Sequence, residues 1–222
     1  MVLFLLCATL TVLMGCGSSG DGKAAPTASI SNNSTPTAEG SSRAPAASKA
    51  DSDPQHPVVQ METSLGKLTV RLDAEKAPLT VSNFLSYVDA RQYDETIIHQ
   101  IYKGQGFLAG GFGTNKVEKP GRTPVRNEAD NGLKNRRGTI SMVRQPGEID
   151  SATCQFLVNV ADNQALDHKD RTPDGYGYCV FGEVIEGLDV IDSIANAQVH
   201  DTPEFERTPV QAIVVSSVKR IR

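Results

Sequence analysis

Apolar and polar residues alternate along Val58–Thr63 and again along Lys67–Leu72, and Ser64-Leu65-Gly66 between them reads as the turn of a β-hairpin. In the second run Leu68, Val70 and Leu72 share one face. The period then changes. Val81, Phe84, Leu85 and Val88 fall at i, i+3, i+4 and i+7, a single apolar helix stripe. Pro78 suits the first turn of that helix, because its missing N–H would have no intrahelical partner there. Strand-like runs follow at Thr96–Ile101, Thr139–Val143, Gln155–Val160, Tyr178–Val184 and Ala212–Val218, separated by polar or glycine-rich loops. A second short helix is expected over Leu188–Ala195, with Leu188, Ile191 and Ile194 or Ala195 inward. Many short strands with two helices predict an all-β barrel or sandwich.

Before Pro57 the pattern is different. Residues 2–15 are apolar and uncharged, with the length of a signal-peptide core and too short for a relaxed membrane span. The run ends in Leu13-Met14-Gly15-Cys16, which resembles a bacterial lipobox and predicts that Cys16 is lipidated as the mature N-terminus. Met14 is bulkier than usual there, and no Lys or Arg precedes the run, which fits a start codon upstream of Met1. A plain cleaved signal or a buried strand are the other readings of this segment. Residues 17–56 are mostly Gly, Ser, Ala, Pro, Thr and Asn, with Ile30 nearly alone as a large apolar residue. Such a segment buries too little surface to offset its ordering entropy, so a disordered tether with an r.m.s. reach of roughly 35 Å is expected. The expected organisation is therefore a signal peptide with lipobox at 1–16, a tether at 17–56 and one domain at 57–222.

Composition narrows the chemistry. The chain has 222 residues, with 22 Lys+Arg against 26 Asp+Glu and a formal charge of -4. That balance lacks the basic footprint of a nucleic-acid binder. Trp is absent and aromatics are 5%, so the core is expected to be aliphatic with a few Phe and Tyr. Cys7 belongs to the leader, while Cys154 and Cys179 fall in strands, either as a disulfide in an exported domain or as separate small core residues. His56, His99, His168 and His200 show no metal-ligand spacing. Gly104, Gly106, Gly110 and Gly111 lack the Lys-Ser/Thr and following helix of a phosphate loop. No metal or cofactor is expected.

The segments resemble cyclophilins, the peptidyl-prolyl cis–trans isomerases, in their order. Met61–Leu72 is similar to the opening hairpin of that family and Ala77-Pro78-Leu79-Thr80-Val81-Ser82-Asn83-Phe84 to its first helix. Asn127–Leu133, Arg137–Met142, Asp150–Phe156 and Val180-Phe181-Gly182-Glu183-Val184 match further family motifs, so the resemblance covers essentially all of 57–222 and is nearest to the bacterial periplasmic branch. It implies a closed eight-stranded antiparallel β-barrel capped by two helices, with a substrate groove on its outer surface. It also implies a monomer acting, without cofactor, on proline-containing unfolded or flexible chains in the cell envelope, held to the membrane by the N-terminal lipid.

The resemblance assigns a site, with one departure at its centre. The family's Phe-His-Arg reads Ile98-His99-Gln100 here, so Gln100 replaces the arginine that donates toward the substrate proline. The family's Gly-Phe-Met-x-Gln-Gly-Gly reads Gly104-Gln105-Gly106-Phe107-Leu108-Ala109-Gly110-Gly111, about one residue longer, with Phe107 as the remaining pocket aromatic. A Trp or Phe of relatives is Ala165. Gln100 and Gln155 are the implied catalytic residues. His99, Phe107, Leu108, Val143, Arg144, Leu157, Leu166 and Tyr178 are the implied substrate contacts, with Arg144 a neighbouring source of charge. A charged donor contributes roughly 1.5–3 kcal/mol and a neutral one about 0.5–1.5, so the exchange costs ~1–1.5 kcal/mol. That is about tenfold in rate. A weakened isomerase is expected; a non-catalytic proline-binding module of the same fold is the alternative.

Overall fold

The computed structural model describes residues 53–222. The expected signal segment, Cys16 and nearly all of the tether lie outside these residues. Hydrogen bonding of the domain begins slightly before Pro57: Asp53 Oδ1 accepts from the Gln55 N–H at 2.9 Å, and Gln55 O accepts from the Ala74 N–H at 2.8 Å.

In chain order the elements are β1 (Val58–Thr63), β2 (Gly66–Leu72), α1 (Pro78–Asp89), β3 (Thr96–Ile97), β4 (Gln100–Tyr102), β5 (Gly106–Ala109), β6 (Thr139–Met142), β7 (Phe156–Asn159), β8 (Val180–Glu186), α2 (Leu188–Ala195), β9 (Val199–His200), β10 (Thr208–Pro209) and β11 (Val214–Arg220). The hairpin and both helices occur where the periodicity placed them. Helix α1 buries Val81, Phe84, Leu85 and Val88. Its Ala77 N-cap supplies no side-chain bond. Glu128, 48 residues beyond Thr80, does so instead. Its carboxylate accepts from the Leu79 N–H (3.1 Å), the Thr80 N–H (2.8 Å) and Thr80 Oγ1 (2.7 Å), a negative charge on the positive end of the helix.

The expected closed eight-stranded barrel is corrected to one curled nine-stranded antiparallel sheet in the order β3-β11-β1-β2-β8-β6-β7-β5-β4, with a separate β9–β10 hairpin. The single strand expected over Thr96–Ile101 is divided between the two ends of this sheet. Ile98 N–H donates to Ile213 O at 2.9 Å, whereas His99 N–H donates to Leu108 O at 3.2 Å. The chain thus steps from one sheet edge to the other between two residues, and the hydrogen-bonded ladder is not a ring.

Strand β5 was hidden in the glycine-rich run. Its glycine is a packing requirement, since a Cβ on Gly106 would lie 2.5 Å from Val158 O and 2.6 Å from Leu157 Cδ1. Tyr102-Lys103-Gly104-Gln105 makes the β4–β5 turn, closed by the Gln105 N–H donating to Tyr102 O at 2.9 Å. The core inside the curl is aliphatic around one aromatic cluster. Phe84 sits 5.0 Å from Tyr93, 5.2 Å from Phe181 and 5.7 Å from Phe156 between ring centroids. Cys154 and Cys179 are separate buried thiols. Among the described residues no helix is long and apolar enough to cross a membrane.

Candidate functional site

The register of β4, β5, β7 and β6 sorts the expected site residues between two faces. Gln100 pairs with Leu108, Leu108 with Leu157, and Leu157 with Ser141, so these four form one cross-strand row. The adjacent row is Ile101, Phe107, Val158 and Ile140. Successive strand residues point to opposite faces, so the two rows point oppositely. The second row belongs to the hydrophobic core. The first lies on the outer face, with Leu108 and Leu157 as an apolar floor and Gln100 partly exposed at its end.

This register corrects one expectation. Phe107 is a core side chain with 0% exposure, not a groove aromatic. Among the described residues the phenylalanines outside the main core are instead Phe112 and Phe205, whose rings lie 4.8 and 5.3 Å from that of His99. His99 is buried with Nδ1 unpartnered, and burial drives its pKa from 6.5 down to about 4, so the ring is neutral at ordinary pH.

Gln155, two residues before Leu157, shares its outer face. It is set by Gly111, where a Cβ would come within 2.6 Å of Gln155 Cγ. Its carbonyl accepts from the Val143 N–H at 2.9 Å, placing partly exposed Val143 beside it. Leu166 and Tyr178 enter from the connection between β7 and β8, where the Tyr178 N–H donates to Leu166 O at 2.9 Å. Buried asparagines hold this connection. Asn135 Nδ2 donates to Leu166 O at 3.1 Å, and Asn159 Nδ2 donates to Asn135 Oδ1 at 3.2 Å.

Arg144 is also at the site, but its guanidinium is committed. Nε donates to Gly177 O at 2.9 Å, Nη1 to Gln145 O at 3.3 Å and Nη2 to Pro173 O at 2.6 Å. Its Cζ lies 5.2 Å from the centre of the Tyr178 ring. It is a clamp on the loop that carries Tyr178, rather than a replacement for the charge absent at Gln100. Three nearby residues escaped sequence reasoning. Ser141 on the outer row has a buried, unpartnered Oγ. Tyr102 follows Gln100 by two positions, and strand alternation alone would have placed it beside Gln100. Arg207 comes from the irregular segment before β10, where no periodicity marks it.

The arrangement offers amide donors beside an apolar floor and no activated nucleophile: burial raises both thiols, that of Cys179 to about 12. Among the described residues no three His, Cys, Asp or Glu converge as a metal site. A concavity of about 760 Å³ further round the outer face, lined by Arg71, Glu183, Thr139 and Arg136, contains none of the expected site residues. A smaller one of about 350 Å³ adjoins β4 and is lined by Ile101, Tyr102, Lys103, Gln105, Val199 and Arg207.

Residues 58–220 match the family model of the cyclophilin type peptidyl-prolyl cis-trans isomerases. The chain is 44% identical over 164 residues to a peptidyl-prolyl cis-trans isomerase A of Dickeya dadantii, covering 74% of this chain and 84% of that protein. It is 38% identical over 161 residues to peptidyl-prolyl cis-trans isomerase B of Escherichia coli, covering 72% and 98%. Among solved structures, a cyclophilin type peptidyl-prolyl cis-trans isomerase of Cryptosporidium parvum superposes with a TM-score of 0.62 at 23% identity, covering 74% of this chain and 99% of that one; it was crystallised in the presence of the dipeptide Ala-Pro. The chain belongs to the cyclophilin-type peptidyl-prolyl cis–trans isomerase family, and its fold is the cyclophilin fold.

Proposed function

We propose that this protein is a lipid-anchored peptidyl-prolyl isomerase of the bacterial cell envelope, nearest to the periplasmic branch of its family and weakened in turnover by Gln100. Its substrates are proline-containing unfolded or flexible chains. The observation that carries the reading is the outer row of Gln100, Leu108 and Leu157, with Gln155 on the same face. An X–Pro bond isomerises slowly because amide resonance sets a barrier of ~18–20 kcal/mol. A surface lowers that barrier when it holds the twisted amide better than the planar one. Here Leu108 and Leu157 give the proline ring an apolar seat, Gln155 and the backbone near Val143 hold the flanking peptide, and the Gln100 end supplies the donor. The presence of Ala-Pro with a relative of the same fold supports a proline peptide as the occupant.

Restoring the charge tests the weakened turnover. Gln100→Arg should raise kcat/KM on a proline peptide about tenfold, the ratio expected between charged and neutral donors. An unchanged or lower value would contradict it. The neutral amide at Gln100 is also what a non-catalytic proline-binding module would carry. Peptide binding without isomerisation by either form would favour that module. The anchor is tested separately: Cys16→Ser should move the full chain into the soluble fraction, and a variant that stays membrane-bound at unchanged mass would refute lipidation. A single acyl chain binds membranes only marginally, so the anchor requires the several chains that lipoprotein processing attaches.

A further inference from the structure

Gln100 does not stand alone on its strand. Tyr102 shares the outer face of β4 two residues on, where the Gln100 side chain acts to hold the phenol's pKa down. Arg207 lies over this tyrosine, its Cζ 4.8 Å from the ring centre. The backbone holds it there: the Ile101 N–H of β4 donates to Arg207 O at 3.0 Å, and the Arg207 N–H donates to Asp201 Oδ1 at 2.9 Å. Arg207 keeps a φ of +55°, in the left-handed region that residues with a side chain rarely adopt. Strain of this kind persists where surrounding structure imposes it, often at functional sites.

We propose that Tyr102 is the catalytic hydrogen-bond donor of this isomerase, standing in for the family's arginine, and that Gln100 and Arg207 are its positioning residues. The inference rests on the isomerase reading given above. A phenol beside an amide that favours its charged form, as the Gln100 side chain does, donates its own proton more strongly. A guanidinium over the ring acts in the same direction, since it favours negative charge on the phenol oxygen as the proton is shared. Burial raises the Tyr102 pKa and outweighs the lowering by Arg207 and Gln100, so the hydroxyl keeps its proton at neutral pH. Arg144 could not serve in this way, since its three guanidinium nitrogens already donate to backbone carbonyls.

The test is a double-mutant series on the full-length chain. Isomerisation of an Ala-Pro peptide is followed by NMR exchange, with thermal midpoints measured alongside. Tyr102→Phe should lower kcat about tenfold with little change in KM, the loss of one neutral donor. Arg207→Gln should lower kcat several-fold, and Arg207→Lys should restore most of it. In the Gln100→Arg background, where an arginine again supplies the donor, Tyr102→Phe should cost less than twofold. An unchanged kcat in Tyr102→Phe overturns the proposal while leaving the isomerase reading intact. So does an equal loss in both backgrounds, which would mark a packing role. No isomerisation by the wild type overturns the isomerase reading itself, and this proposal with it.

Discussion

The inner and outer faces of β4, β5, β7 and β6 are made by the same four strands and obey different rules. On the inner face Ile101, Phe107, Val158 and Ile140 are apolar and fully packed. On the outer face an apolar floor of Leu108 and Leu157 lies beside the amides of Gln100 and Gln155, and Ser141 holds a hydroxyl with no partner. The inner face minimises free energy through close packing. The outer face tolerates unsatisfied and strained groups, as a binding surface does when its partners arrive with the ligand. The difference teaches where to look for function in this fold: on the face where local rules are broken.

Perturbing the inner face should give the largest change in stability. Phe107→Ala should destabilise the domain by about 3–5 kcal/mol, read from denaturant unfolding, because it empties a filled core site. A loss below about 1 kcal/mol would mean that Phe107 does not face the core. The seam between the two sheet edges should respond to acid. The folded state holds His99 near a pKa of about 4 against 6.5 in the unfolded chain, so between these values the unfolded chain binds a proton that the folded one does not. Stability is therefore fully present above pH 6.5 and falls as pH drops toward 4, by about 3 kcal/mol from this group. His99→Phe should flatten that slope in thermal unfolding between pH 7 and 4.5, and an unaltered slope would assign the acid sensitivity elsewhere.

The contrast between faces also explains what the sequence could carry. The hairpin Val58–Leu72 and the α1 stripe of Val81, Phe84, Leu85 and Val88 were legible because period and burial coincide there. The helix Leu188–Ala195 was legible in its bounds, with Ile191 and Ile194 inward as expected but Leu188 exposed and Val190 buried instead. Strand β5 was not, since its first residue is a glycine imposed by the Val158 carbonyl across the sheet, a contact invisible along the chain. The division of Thr96–Ile101 into two edge strands was likewise invisible, because it depends on which distant strand each half meets. Within the site, Gln100, Leu108, Leu157 and Gln155 share one face. Phe107 does not, because the position of β5 in the sheet, rather than residue type, decides which side chains point inward. Arg207 reaches Tyr102 only through the folded β9–β10 segment.

Ser141→Ala removes a buried hydroxyl that has no hydrogen-bond partner, so it should raise stability by about 1 kcal/mol or leave it unchanged. Destabilisation beyond about 1 kcal/mol would show that this hydroxyl is satisfied in solution and that the outer face is built to the same rules as the core.

The most direct measurement of the central claim is prolyl isomerisation by the full wild-type chain, using an Ala-Pro peptide with cis and trans resonances resolved by NMR. Acceleration proportional to protein concentration is expected, lost when a proline peptide of higher affinity fills the outer face, and accompanied by shifts of the Gln100 and Gln155 side-chain amide signals. Binding that shifts those amides without any acceleration of exchange would contradict the claim, leaving the outer face a recognition surface on an isomerase fold.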